Sequence, residues 1–143
     1  MKDTELNKDL VRRFVVAIND RNLEALGETV AVDFVRHCQA TPDVEVRSLE
    51  DLRRFIELDS VTFPDSLVTI DQLVAEDNLV GFFARYEGTQ HGPMGPFPPS
   101  DRRASIDFGG VFRMETGKIA ELWVTWDNVA MLSQLGHLDP ADL

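Results

Sequence analysis

The stretch Leu67-Val68-Thr69-Ile70-Asp71-Gln72-Leu73-Val74-Ala75-Glu76-Asp77-Asn78-Leu79-Val80-Gly81-Phe82-Phe83-Ala84-Arg85-Tyr86-Glu87-Gly88-Thr89 decides the fold. Two runs rich in β-branched and aromatic residues flank Glu76-Asp77-Asn78, whose composition suits a turn, so the spacing predicts a hairpin of strands 67–76 and 79–89. The next segment, His91-Gly92-Pro93-Met94-Gly95-Pro96-Phe97-Pro98-Pro99-Ser100, holds four prolines that cannot join a ladder and reads as a rigid lip. Arg102 to Met114 and Ile119 to Trp126 resume the period of two, joined by Glu115-Thr116-Gly117-Lys118, where glycine supplies a positive φ. Asn128 to Leu135 reads as a closing helix ended by Gly136.

Upstream of residue 66 the apolar period is close to four. Leu6, Leu10, Phe14 and Ile18, with Val11 and Val15 beside them, predict an amphipathic first helix. Asn22 is placed to cap a second helix carrying Leu23, Leu26 and Val30, and Asp33 to Cys38 is a short extended segment. Ser48-Leu49-Glu50-Asp51 has capping-box spacing and opens a third helix with Leu49, Leu52, Phe55 and Ile56 on one side, ending before Phe63-Pro64. Helices followed by hairpin-linked strands indicate an α+β class rather than alternating βαβ units. Gly81, Gly109 and Gly110 inside strand patterns predict bends. The expected architecture over residues 1–143 is one domain: a cone-shaped, curved antiparallel sheet with N-terminal helices enclosing a pocket.

Composition narrows the function classes. The chain has 143 residues with 14 Lys+Arg against 25 Asp+Glu, a formal charge of −11, and 43% hydrophobic residues, enough for a core without disulfides. The acidic balance argues against nucleic acid and against anionic membrane surfaces. Apolar runs such as Phe14 to Ile18 are too short to span a bilayer, and acidic residues among the first twenty give no signal-peptide pattern. The lone Cys38 points to a reducing, cytoplasmic setting. The three histidines are scattered without ligand spacing, so no metal site is expected. No nucleophile elbow or phosphate-binding glycine loop occurs. Asp71, Asp107, Glu121 and Asp127 lie in or beside apolar strands, where an ionised group needs a partner or a pocket. Asp107 and Arg85 also suit a surface ion pair, and Asp127 also suits the cap of the last helix.

Several segments taken together resemble a known family. Asp33-Phe34-Val35-Arg36-His37, Phe63-Pro64-Asp65, Gly88-Thr89-Gln90 with Pro98-Pro99-Ser100 and Arg102-Arg103, Phe112-Arg113, Gly117-Lys118-Ile119-Ala120-Glu121 with Trp123, and Gln134-Leu135-Gly136 look like the SnoaL-like polyketide cyclases, or ester cyclases. The resemblance runs from the first helix to Gly136 and implies the nuclear transport factor two-like cone. It implies an intramolecular aldol closure of an apolar or polycyclic ligand without metal or cofactor, in which a base removes a proton alpha to a carbonyl. In that family the base resembles an Asp in a His-Trp-Asp run, which here reads Leu122-Trp123-Val124. A second family Asp falls on Gly110, and the family's Gly-Thr-His turn has Gln90 followed by His91.

These departures leave three expectations. One is an enzyme with relocated chemistry, in which His37 acts as acid or base with Asp127 or Asp107, and Phe34, Arg85, Tyr86, Gln90, His91, Leu122, Val124 and Trp126 line the pocket. The second is a binder of an apolar ligand without catalysis. The third is an epoxide-hydrolase-like site built from Asp107, Arg85 and Asp127. Trp123 beside Ile119 and Thr125 on an uncovered sheet face predicts a homodimer.

Overall fold

The sequence patterns become structure mainly by sorting apolar side chains to one side of a bent sheet. The computed structural model describes residues 3–143. Its elements are α1 (Asp3–Asn19), α2 (Leu26–Thr29), β1 (Val30–His37), α3 (Leu49–Thr62), β2 (Leu67–Glu76), β3 (Leu79–Thr89), β4 (Arg103–Glu115), β5 (Lys118–Trp126) and α4 (Asn128–Gln134), followed by a 3₁₀ turn at Pro140–Asp142. The sheet order is β1-β5-β4-β3-β2, an open, curved, five-stranded α+β arrangement covered by the N-terminal helices.

The four consecutive strands β2 to β5 are antiparallel neighbours, as their hairpin spacing predicts. The sheet is nonetheless mixed. The segment expected to be a short extended piece at Asp33–Cys38 begins earlier, at Val30, and pairs parallel with β5. Parallel pairing needs a long return path, and α3 with the β2–β4 meander supplies it. The second helix is correspondingly shorter than its apolar spacing suggests: α2 has four residues, and Val30 is a strand residue with 1% exposure. The β-branched side chain goes to the sheet, where its stiff χ1 packs against neighbours.

Bulges bend the sheet. Asp71 is an extra residue between Ile70 and Gln72 opposite β3, and Ala120 is extra opposite the Arg113/Met114 step. An extra residue raises local twist and turns the strand. The second bulge also shifts Ile119 to the inside, where it is fully buried. It therefore cannot share the outer face with Trp123, which corrects the composition expected for that face.

Ser48 caps α3 by accepting from the Asp51 amide at 3.0 Å, and Asp51 reaches back to the Arg47 amide at 3.0 Å. Replacing Ser48 with Ala is expected to lower stability by about 1 kcal/mol, measured by chemical denaturation. The main core joins Leu10, Val11 and Phe14 of α1, Leu52 and Ile56 of α3, and Phe34, Phe112, Leu122 and Val124 of the sheet. A second, smaller cluster forms where α4 meets β4: Phe63, Ala104, Ile106, Met131 and Leu135.

Candidate active site

Between these two clusters the inner face carries a strip of half-buried side chains: Arg36 on β1, Phe55 and Asp59 on α3, Phe82 and Tyr86 on β3, Phe108 on β4 and Trp126 on β5. Alternation along β1 sends Phe34, Arg36 and Cys38 inward and His37 outward. Along α3, Asp59 follows Leu52, Phe55 and Ile56 at the spacing of the inward stripe, so a carboxyl occupies a position that apolar periodicity assigns to the core.

The polar centre of the strip is Asp59. Tyr86 donates to its Oδ2 at 2.8 Å. Burial pushes the Asp59 carboxyl above its ordinary range, outweighing the Tyr86 hydrogen bond and the attraction of Arg21 and Arg36. Burial first, then the charge of Asp59 and the hydrogen bond to it, drives the Tyr86 phenol far upward, so it stays protonated as the donor. Arg21 is fixed behind the pair. Its Nη2 donates to the Pro64 and Ser66 carbonyls at 2.9 and 3.1 Å and to Ser66 Oγ at 3.0 Å.

The Pro-rich connection from Gln90 to Arg102 closes over the end of α3. The amides of His91 and Gly92 donate to the Thr62 carbonyl, and Thr62 Oγ1 donates to the Pro93 carbonyl at 2.8 Å. Gly92 is required there, because a Cβ would stand 2.6 Å from the Val61 carbonyl oxygen. Gln90 is completely buried and ties this lip together. Its Nε2 donates to the carbonyls of Gly92, Phe97 and Pro98, while its Oε1 accepts from Ser100 Oγ at 3.2 Å and from His137 Nε2 at 2.6 Å. Gln90→Ala is expected to cost about 2 kcal/mol by leaving several of these groups without partners, read as a lower denaturation midpoint.

The residues singled out in the sequence divide between the two faces. Phe34, Leu122, Val124, Tyr86 and Trp126 lie on the inner side, with Phe34 at 0% exposure and Leu122 and Val124 at 7%. His37 is exposed on the outer face, stacked on Trp123 with ring centroids 5.4 Å apart, and bonded through Nε2 to Glu121 at 2.6 Å. Glu121 is held below the usual carboxylate range by His37 and then by Arg113. Asp107 and Arg85 are also exposed outside, with Arg85 Nε 3.9 Å from Asp107 and Nη1 4.0 Å from Glu87. Asp127 caps α4, accepting from the Val129 and Ala130 amides. His91 is exposed beside Asp101 at 2.9 Å.

The expected meeting of His37 with Asp107 or Asp127 inside the cone is thus not what the fold builds. His37 is odd in phase on β1, Asp107 is odd in phase on β4, and Asp127 is spent on a helix cap. The Asp107–Arg85–Asp127 arrangement for an epoxide opening is likewise not assembled, since Arg85 points outward and Asp127 is engaged at α4. Gln90 supports the lip rather than presenting its amide to the interior. Sequence reading passed over Asp59 and Arg36, although each interrupts an inward-facing apolar pattern. Among the described residues, no group of three or more His, Cys, Asp or Glu is gathered to hold a metal ion, and no helix is long and apolar enough to cross a membrane.

Comparison with known proteins agrees with this architecture. Solved structures similar to the chain include TsrD from Streptomyces laurentii, at 28% identity and TM-score 0.85, covering 96% of this chain and 100% of that one. IdmH from Streptomyces antibioticus, a candidate polyketide cyclase, aligns at 29% identity and TM-score 0.79, covering 91% and 98%. AclR from Streptomyces galilaeus, a candidate hydroxylase, aligns at 25% identity and TM-score 0.81, covering 96% and 100%. A search of curated proteins found no match. The family described as SnoaL-like polyketide cyclase matches residues 8–135, nearly the whole chain, and with the inward strip and curved sheet just described the protein belongs to that family.

Proposed function

We propose that the half-buried inner strip lines a pocket for an apolar, ring-forming small molecule, and that the protein closes a ring in it without a cofactor. Asp59 moves the proton. The observation that carries this reading is a carboxyl set into a mainly aromatic strip, held by Tyr86 at 2.8 Å and shifted upward by burial. A carboxylate whose pKa is raised by burial is a stronger base than an ordinary one.

The steps balance within one substrate chain. Asp59 Oδ1, the oxygen not bonded to Tyr86, takes the proton from a carbon alpha to a carbonyl, leaving an enolate. The enolate carbon attacks a second carbonyl of the same chain, forming the carbon–carbon bond and an alkoxide. Protonated Asp59 then returns its proton to the alkoxide. Phe55, Phe82, Phe108 and Trp126 would hold the folded substrate and exclude water that competes for the enolate.

The reading is tested by solvent deuterium exchange into 2-tetralone, a bicyclic ketone with acidic alpha protons. Catalysed exchange that disappears in Asp59→Asn supports it, and equal exchange in both proteins rejects it. A second reading, ligand binding without catalysis, is favoured by one observation: Leu122 and Val124, at the family's base position, are aliphatic and 7% exposed. Binding without any catalysed exchange would select it.

Two further features belong to this proposal. Exposed Phe83 and Trp123 on the uncovered outer face suit a homodimer through the sheet. The free, half-buried Cys38 suits a reducing, cytoplasmic setting.

A further inference from the structure

Arg36 is set apart from the arginines that pair with carboxylates at the surface. Arg12, Arg53, Arg85, Arg103 and Arg113 each lie within 4.0 Å of a surface carboxylate. Arg36 instead turns inward from β1, opposite Leu122. Its guanidinium carbon lies 4.4 Å from the centre of the Phe55 ring and 5.7 Å from that of Trp126. Its guanidinium donates from Nη1 to Thr41 Oγ1 at 3.3 Å and also hydrogen-bonds Cys38, and among the described residues it makes no ion pair. The ionisable groups facing it are Asp59 and Cys38.

A guanidinium cannot shed its charge in a protein, and Asp59 faces Arg36 without coming within ion-pair distance, so the half-buried cation can still take an anion at its edge. Burial accordingly pulls Arg36 below its ordinary value. The two rings steady the planar group by cation–π contact, which leaves N–H edges free in a fork that matches a carboxylate. The same rings provide faces on which a flat ring system can stack. With a net charge of −11, the protein's overall field repels anions, so an anionic ligand needs a local cation at its binding place.

We propose that Arg36 anchors a carboxylate carried by a planar aromatic ligand, held at the guanidinium edge between Phe55 and Trp126. This rests on the reading of the inner strip as a small-molecule site and specifies its ligand class: an aromatic acid rather than a neutral ester or amide.

The probes are 2-naphthoate and its uncharged counterpart 2-naphthamide, titrated at pH 7 while the indole N–H signals of Trp126 and Trp123 are followed by NMR. Trp123→Phe assigns the two signals. The acid is expected to shift Trp126 and to bind roughly tenfold more tightly than the amide, the worth of one charge-assisted hydrogen bond. Arg36→Gln is expected to erase that preference while amide affinity stays within about twofold, and Arg36→Lys to keep part of it. Equal affinity for acid and amide in the unaltered protein overturns the proposal without needing any variant. So does a preference that survives Arg36→Gln, a response confined to Trp123, or no response at Trp126 at millimolar probe.

Asp59→Asn separates this inference from the proton-transfer reading. Removing that nearby negative charge should retain or increase the preference for the acid, whatever it does to deuterium exchange. A missing preference with exchange that depends on Asp59 defeats the anion site alone. A clear preference with exchange indifferent to Asp59 defeats the proton-transfer reading alone.

Discussion

Asp59→Asn is expected to fold as the parent does and to slow deuterium exchange into 2-tetralone by about 10²- to 10⁴-fold, the usual contribution of a positioned general base. Asn is close to isosteric and its Oδ1 still accepts from Tyr86, so the 2.8 Å contact survives while the basic oxygen is lost. Tyr86→Phe removes the donor instead. It leaves the carboxylate less stabilised, raises its pKa further and moves the pH profile upward without abolishing exchange. In the parent, exchange should rise with pH as Asp59 loses its proton, at a pH above the ordinary value of 3.8.

Stability responds with the opposite sign. The folded state holds the Asp59 proton more tightly than the unfolded chain, so below pH 3.8 the group is neutral in both states and carries no penalty. As pH rises past that value the unfolded chain ionises first and is favoured, and the penalty grows until the folded-state pKa is passed. Asp59→Asn should therefore melt higher than the parent at neutral pH, with the difference vanishing toward pH 3.8. A variant that is less stable at neutral pH and unchanged in exchange would remove Asp59 from the site.

The second large effect concerns Gly110, in the middle of β4. A Cβ built there stands 2.0 Å from the Trp123 carbonyl oxygen and 3.0 Å from the Val124 Cα, both backbone atoms of the neighbouring strand. Backbone cannot rotate away as a side chain can, so β4 and β5 would have to part at the centre of the sheet. Gly110→Ala is expected to cost about 3 kcal/mol or more and to lower Tm by about 10 °C. Gly110→Asp should be worse, since it adds a carboxylate as well as the collision. Gly27→Ala is the control. Its Cβ would meet the mobile end of Arg53 at 3.3 Å, and a change within about 0.5 kcal/mol is expected. A Gly110→Ala melting point close to that of the control would show that the strands are not so tightly apposed.

Much of the fold was legible in the chain itself. The period-two runs on either side of Asp77-Asn78 and Thr116-Gly117 specify hairpins because alternate side chains must sort to opposite faces, and the turns accept positive φ at Asp77, Thr116 and Gly117. The Ser48 cap and the α3 stripe were equally local, as was the capping role of Asp127. The parallel seat of β1 was not, because it depends on which strand edge remains free after four hairpin-linked strands have paired.

The site divides along the same line. Alternation along the strand put Leu122, Val124 and Trp126 on one face, and it was the family resemblance, not the pattern, that singled out Leu122 and Val124 as hydrocarbon at the expected base position. Residue type drew His37, Asp107 and Arg85 into the candidate site, but strand phase turns all three outward. Only the packing of α3 across β3 brings Asp59 to Tyr86, residues 27 apart in sequence, and only the packing of α3 and β5 about β1 sets Arg36 between two aromatic rings. Periodicity reports which side of an element a residue occupies, whereas proton transfer and charge recognition depend on distances between elements, and those exist only once the chain has closed on itself.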